Sequence, residues 1–173
     1  MTGPFPKLFY PEFIQEKLAR YNYLKAIKKR CLHEKKLEVC IITDFNMDFL
    51  YQDTQRFSNS KKEAMKLALS IIDQIQYYIE NYDKLKVYYL EKLVGMDFVL
   101  PIREKPEDIY LYMRDETGDI VGGLYINSPA SAGRAYTTFT QFCSNTPPLR
   151  GINGRRILKQ IKKGITNKFK NTE

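Results

Sequence analysis

Apolar positions along this chain repeat with a helical period at both ends and in one central stretch, and alternate between them. The first repeat lies in "PEFIQEKLARYNYLKAIKKRCLHEKK". There Phe13, Ile14, Leu18, Tyr21, Leu24, Cys31 and Leu32 recur on one side at helical spacing, behind a proline, Pro11, at the first turn. Lys25 and Lys28 fall on the same side. This predicts either a bend near Asn22 or lysines whose stems lie along apolar surface with the amine reaching water. The β-branched run "LEVCII" that follows predicts a buried strand.

The strongest signal is central. Ser60 and Glu63 have capping-box spacing, and behind them Ala64, Met65, Ala68, Leu69, Ile72, Ile75, Ile79 and Tyr82 form a wide apolar face. Ile71 and Tyr78 widen it, so the segment predicts a long core helix lying against a sheet. "KVYYLEKL" and "MDFVLP" fit either a strand or a helix, and the strand is the reading adopted. "DIYLYMRDETGDIVGGLYI" reads as a hairpin, two alternating runs around an acidic and glycine-rich turn at 115–119. "GRAYTTFTQFC", rich in threonine and aromatics, predicts one more strand, halted by Pro147 and Pro148. A last helix starts near Asn153, a suitable cap residue.

This order predicts an α+β fold. It has a central, mostly antiparallel sheet of about four to five strands, a long core helix and amphipathic terminal helices. The length predicts a single domain, 1–173, with a basic N-terminal helical segment at 1–36, an α+β body at 37–149 and a basic C-terminal helix at 150–173.

Charge sharpens the division. The chain carries a net +8, concentrated at its two ends. Residues 17–36 hold eight cations and one carboxylate, and so do residues 150–173. The stretch between them holds eleven cations and sixteen carboxylates, a net −5. A polyanionic partner must therefore meet one or both ends.

In the final helix Ile157, Leu158, Ile161, Ile165 and Phe169 share one side, while Arg155, Arg156, Lys159, Lys162, Lys163 and Lys170 cluster opposite. Such a basic amphipathic helix can be a solvated surface element. It can also grip phosphate backbone, with release of condensed counterions. The expectation is a non-enzymatic binding protein that contacts nucleic acid without sequence specificity, through Arg155, Arg156, Lys159, Lys162 and Lys163, with Arg150 at the helix entrance. Lys28, Lys29 and Arg30 join them if both ends meet on one face. An acidic protein surface is the alternative partner. A subunit of a larger viral or organellar assembly, held by protein contacts alone, has the same sequence character.

"DETGDIVGGLYI", then an expected strand, then "PPLRGINGRRILKQI" resembles the central segment of the GNAT acyl-CoA N-acyltransferase family, over about residues 108–169. In that family an Arg-Gly loop opens a helix, and its backbone donors hold the cofactor pyrophosphate. The resemblance implies an acyl-CoA-dependent N-acyltransferase-like protein with acetyl-CoA or another acyl-CoA in a cradle of Arg150, Gly151, Asn153, Gly154 and Arg155. The loop here, "RGINGR", is one residue shorter than the family's and has Asn153 at its centre.

Other chemistry finds less support. His33 is the only histidine, so a Ser-His-Asp triad or a multi-histidine metal site would depend on it alone. Cys31, Cys40 and Cys143 lack paired zinc-site spacing and read as free thiols of a reducing compartment. Asp44, Asp48 and Asp53 follow a predicted strand. They read either as a turn that bonds its own backbone or as carboxylates for a divalent cation. No cofactor is expected on the binding-protein reading. The N-terminus lacks a charged region followed by an apolar run, and no apolar stretch reaches the about 18 residues of a membrane span. The expected location is cytoplasmic or another reducing compartment, or inside a viral particle, and not secreted.

Overall fold

The computed structural model describes residues 7–17, 21–36, 38–90, 97–99, 108–114 and 120–171. Its helices are α1 (Glu12–Gln15), α2 (Tyr21–Lys28), α3 (Met47–Arg56), α4 (Lys61–Asn81), α5 (Pro129–Asn145) and α6 (Gly151–Asn171). Its strands are β1 (Val39–Thr43), β2 (Leu85–Tyr89), β3 (Asp97–Val99), β4 (Asp108–Arg114) and β5 (Ile120–Asn127). The α+β class is as expected.

The single central antiparallel sheet is not what forms. β1 and β2 pair in parallel, Val39 opposite Leu85 and Thr43 opposite Tyr89, while β3, β4 and β5 make a separate antiparallel sheet. The reason lies in the β1–β2 connection: the long helix α4 is the crossover that two parallel strands need, where an antiparallel pair would be joined by a short turn. Asn46 starts α3, its side chain accepting from the Asp48 and Phe49 N–H groups at 3.0 Å each. The β4–β5 hairpin pairs in the predicted register region, Tyr110 opposite Tyr125; the turn expected at 115–119 lies outside the described residues.

The second correction concerns "GRAYTTFTQFC", which lies within helix α5 and not in a strand. Ser128 caps that helix by accepting from the Ser131 N–H, and Pro129 occupies its first turn. Thr137 and Thr140 donate to the carbonyls of Gly133 and Tyr136, each at 2.9 Å. This back-bonding one turn earlier makes threonine compatible with helix interior, so a composition that favours strands gave way to a cap.

At the N-terminal end the predicted helix is interrupted. α1 stops at Gln15, α2 begins at Tyr21 and passes into a π-turn over Lys29–His33. Lys28 departs from the snorkelling expectation: half-buried, it sends its amine 3.1 Å inward to Oε1 of the buried Gln15.

α4 is as the pattern predicted. Ala64, Ala68, Ile71, Ile72, Ile75 and Ile79 are buried, and the Glu63 N–H donates to Ser60 Oγ at 3.2 Å. The return bond of the capping box goes to the Asn59 N–H at 2.9 Å, one residue earlier than the usual pattern.

α3 and α4 form a middle layer with different neighbours on their two flanks. On α4, Asp73 and Glu80 pair with Lys162 and Arg155 of α6, whereas Tyr78 lies against Phe9, ring centroids 5.8 Å apart. On α3, Tyr51 meets Phe169 of α6 edge-on at 4.7 Å, whereas Asp53 pairs with Lys7 at 3.6 Å. Asp73 to Tyr78 is five residues, as is Asp48 to Asp53, a rotation of about 140° around either helix. The N-terminal segment and α6 therefore cover opposite flanks.

Candidate nucleic-acid interface

α6 begins at Gly151, two residues before the expected cap. Gly151 takes a left-handed φ of 59°, and the Gly154 N–H closes the first turn on the Arg150 carbonyl at 3.2 Å. Asn153, expected as the cap, sits inside that turn, where its Oδ1 accepts from Arg156 Nη2 at 3.0 Å. Upstream, the Leu149 N–H donates to the Val87 carbonyl at 2.7 Å, so the chain is anchored on β2 immediately before the helix starts.

The apolar side is as read: Leu158, Ile161, Ile165 and Phe169 are buried and Ile157 is half-buried against the core. The cationic side divides in two. Along the edge facing α4, Arg155 meets Glu80 at 3.7 Å and Lys162 pairs with Asp73. Along the edge facing α3, Lys168 pairs with Asp48. Between these seams Arg156, Lys159, Lys163 and Lys170 fall within an arc of about 60° at helical pitch. All four are exposed and make no ion pair with a described residue, and α6 itself has no Asp or Glu. The crest they form runs about 21 Å from Arg156 to Lys170.

The Arg155–Glu80 and Lys162–Asp73 pairs also fix an antiparallel register between α6 and α4. Two further turns along, that register brings exposed Lys66 of α4 level with Phe169 and Lys170. Lys66 and Lys170 were absent from the expected site. Lys170 shares the wheel position of Lys159 and was readable there; Lys66 needed the tertiary register.

The remaining expected residues are placed as follows. Arg150 is tied down, Nη1 to Asp83 Oδ1 and Nη2 to the Tyr82 carbonyl, both at 2.8 Å. Lys28 is directed inward at Gln15, and burial lowers its pKa, offset in part by the charge of Glu12. Lys29 pairs with Glu34 at 3.7 Å and Arg30 is exposed. Their neighbour Lys28 is tied through Gln15 to the Lys7 and Leu8 carbonyls, in the segment that meets the Asp53 and Tyr78 flanks.

The residues of the Arg-Gly loop stand in a changed setting. A helix, α5, precedes the loop where the acyltransferase resemblance expects a strand. The guanidinium of Arg150 is used within the protein, and Arg155 leans on Glu80. Gly154 is pressed so closely on Leu149 that a Cβ there would lie 2.7 Å from the Leu149 carbonyl carbon.

The three aspartates do not converge. Asp44 accepts the Asn46 N–H at 3.2 Å, which is the turn reading; Asp48 pairs with Lys168; Asp53 is buried with Lys7 and Arg56 on the other flank of α3. Among the described residues no cluster of three or more His, Cys, Asp or Glu is arranged to hold a metal ion. Cys31 is buried and His33 exposed, so they point apart. Among the described residues no helix is long and apolar enough to cross a membrane.

No protein-family model matches the chain, and no match is found among curated proteins or solved structures.

Proposed function

We propose that the chain binds the phosphate backbone of nucleic acid, without reading sequence, through the crest of α6. Arg156, Lys159, Lys163 and Lys170 are the contact residues, and Lys66 lies at the C-terminal end of the same surface. The observation that supports this most is the division of labour on α6. The protein's own carboxylates take the cations at the two edges and leave the outward row without a counter-charge among the described residues.

The chemistry favours backbone over bases. A side chain that reads base edges needs a groove-matched geometry, and stacking needs an exposed ring. The crest has no ring to stack: the only aromatic of α6, Phe169, is buried. What it offers is four point charges along a rigid rod, which neutralise phosphates and release counterions.

A salt titration of binding to a fluorescent duplex tests this. With three to four phosphates neutralised, the logarithm of affinity should fall with the logarithm of salt at a slope of about −2.7 to −3.6. Binding that is undetectable at low salt, or indifferent to salt, removes the reading.

A further inference from the structure

We infer that the N-terminal segment is a second phosphate-binding surface, placed so that one molecule bridges two duplexes. This rests on the backbone-binding reading of α6, and adds to it a second site and a task for the pair.

The segment has the same charge as the α6 region, eight cations to one carboxylate over residues 17–36. α2 buries Leu24 and Ile27, the π-turn buries Cys31 and Leu32, and Lys25, Lys29, Arg30, Lys35 and Lys36 are exposed on the outer side. Among the described residues their one ion-pair partner is Glu34, shared between Lys29 at 3.7 Å and Lys36 at 3.6 Å. One carboxylate shared between two largely exposed lysines is a weak tie and is screened by salt. Lys28 is excluded, since its amine is used on Gln15.

Placement turns this second patch into a bridge. Lys7 and Phe9 pack on the Asp53 and Tyr78 flanks of α3 and α4, α2 is tied to that segment through Lys28 and Gln15, and α6 covers the Asp48 and Asp73 flanks. Two helix-to-helix spacings, together about 16–20 Å between axes, lie between that segment and α6. That exceeds the screening length of about 8 Å at physiological salt. A duplex held on one flank therefore hardly repels a duplex arriving on the other. With α3 and α4 between the flanks, one duplex cannot straightforwardly occupy both.

The test uses a biotinylated duplex of about 30 base pairs on beads and a fluorescent duplex of unrelated sequence in solution, joined only through the protein. Wild type should capture the second duplex, and a large excess of protein should abolish capture as every duplex becomes saturated. The variant Lys25→Gln/Lys29→Gln/Arg30→Gln/Lys35→Gln should lose capture about tenfold while one-duplex affinity, read by anisotropy, stays within about threefold. Sedimentation of wild type in excess duplex should reach two duplexes per molecule, a reading that stands even if the variant misfolds. A limit of one duplex per molecule, or undiminished capture by the folded variant, overturns the bridge and leaves the α6 reading intact. Absence of any duplex binding by wild type overturns both.

Discussion

Arg150 and Asp83 are joined by a 2.8 Å ion pair that closes the C-terminal end of α4 onto the entrance of α6. The other arm of the guanidinium reaches the Tyr82 carbonyl at 2.8 Å, at the residue that terminates α4. Those carbonyls have no partner inside their own helix, and a cation there also complements the helix dipole. The sequence marks Arg150 as a ligand contact; its geometry makes it a staple between two helices. Arg150→Met should therefore lower stability by about 1–2 kcal/mol, part of it from the carbonyl left without its donor. Affinity for nucleic acid should change by less than about twofold. Chemical denaturation paired with anisotropy separates the two effects.

Crest and seam should respond differently to neutralisation. Lys159→Gln/Lys163→Gln should reduce the salt slope by about 1.8 and leave the melting temperature unchanged. Lys162→Gln should have the smaller effect on binding, because its charge is already opposed by Asp73. Equal losses from both variants would mean that net charge, and not the exposed row, governs binding.

The two glycines of α6 should behave oppositely. Gly154→Ala forces a Cβ to 2.7 Å from the carbonyl carbon of Leu149, whose N–H is held by Val87, so neither side can yield cheaply. A loss of about 1–3 kcal/mol is expected. At Gly164 the nearest atom to a new Cβ is the flexible end of Met47, 3.9 Å away. There Ala should stabilise by about 0.5–1 kcal/mol through the helix interior alone. Urea midpoints of the two variants, measured against wild type, decide both signs.

Cys40 should be slow to alkylate. Burial, aided by the nearby charge of Glu38, raises its thiol from 9.0 to about 11. At pH 8 the thiolate fraction in the folded protein is then about a hundredfold below that of the unfolded chain. Peptide mass spectrometry after iodoacetamide should show that contrast between native and urea-treated samples. The same shift has a stability consequence. Between pH 9 and 11 the folded protein keeps a proton that the unfolded chain releases. The stability this group contributes is thus full below 9 and is lost as pH rises through about 11.

Legibility followed the range of the forces involved. The α4 face, its Ser60 cap, the strand at Val39–Thr43, the hairpin strands and the apolar stripe of α6 were all readable, because periodicity and capping act within a few residues. α5 reads as a strand although its helix signals, Ser128 and Pro129 ahead of a 3–4 apolar spacing, are local; threonine and aromatic content outweigh them. α3 was overlooked because Asp44, Asn46 and Asp48 look alike whether they close a turn or start a helix. In the candidate site, the cationic side of α6 was legible as a whole, but its division into seam and crest was not.

By itself, then, the order of residues determined where charge gathers, which helix sides are apolar and that helices and strands mix in this chain. Those properties follow from side-chain chemistry at short spacing. Tertiary structure alone decided that β1 and β2 run parallel, that Lys28 turns inward to Gln15 and that Arg150 ties α4 to α6. It also decided that Asp48, Asp73 and Glu80 take up the edge cations of α6. Each of these depends on which flank of a helix meets which neighbour, and contacts between residues far apart in sequence set that choice.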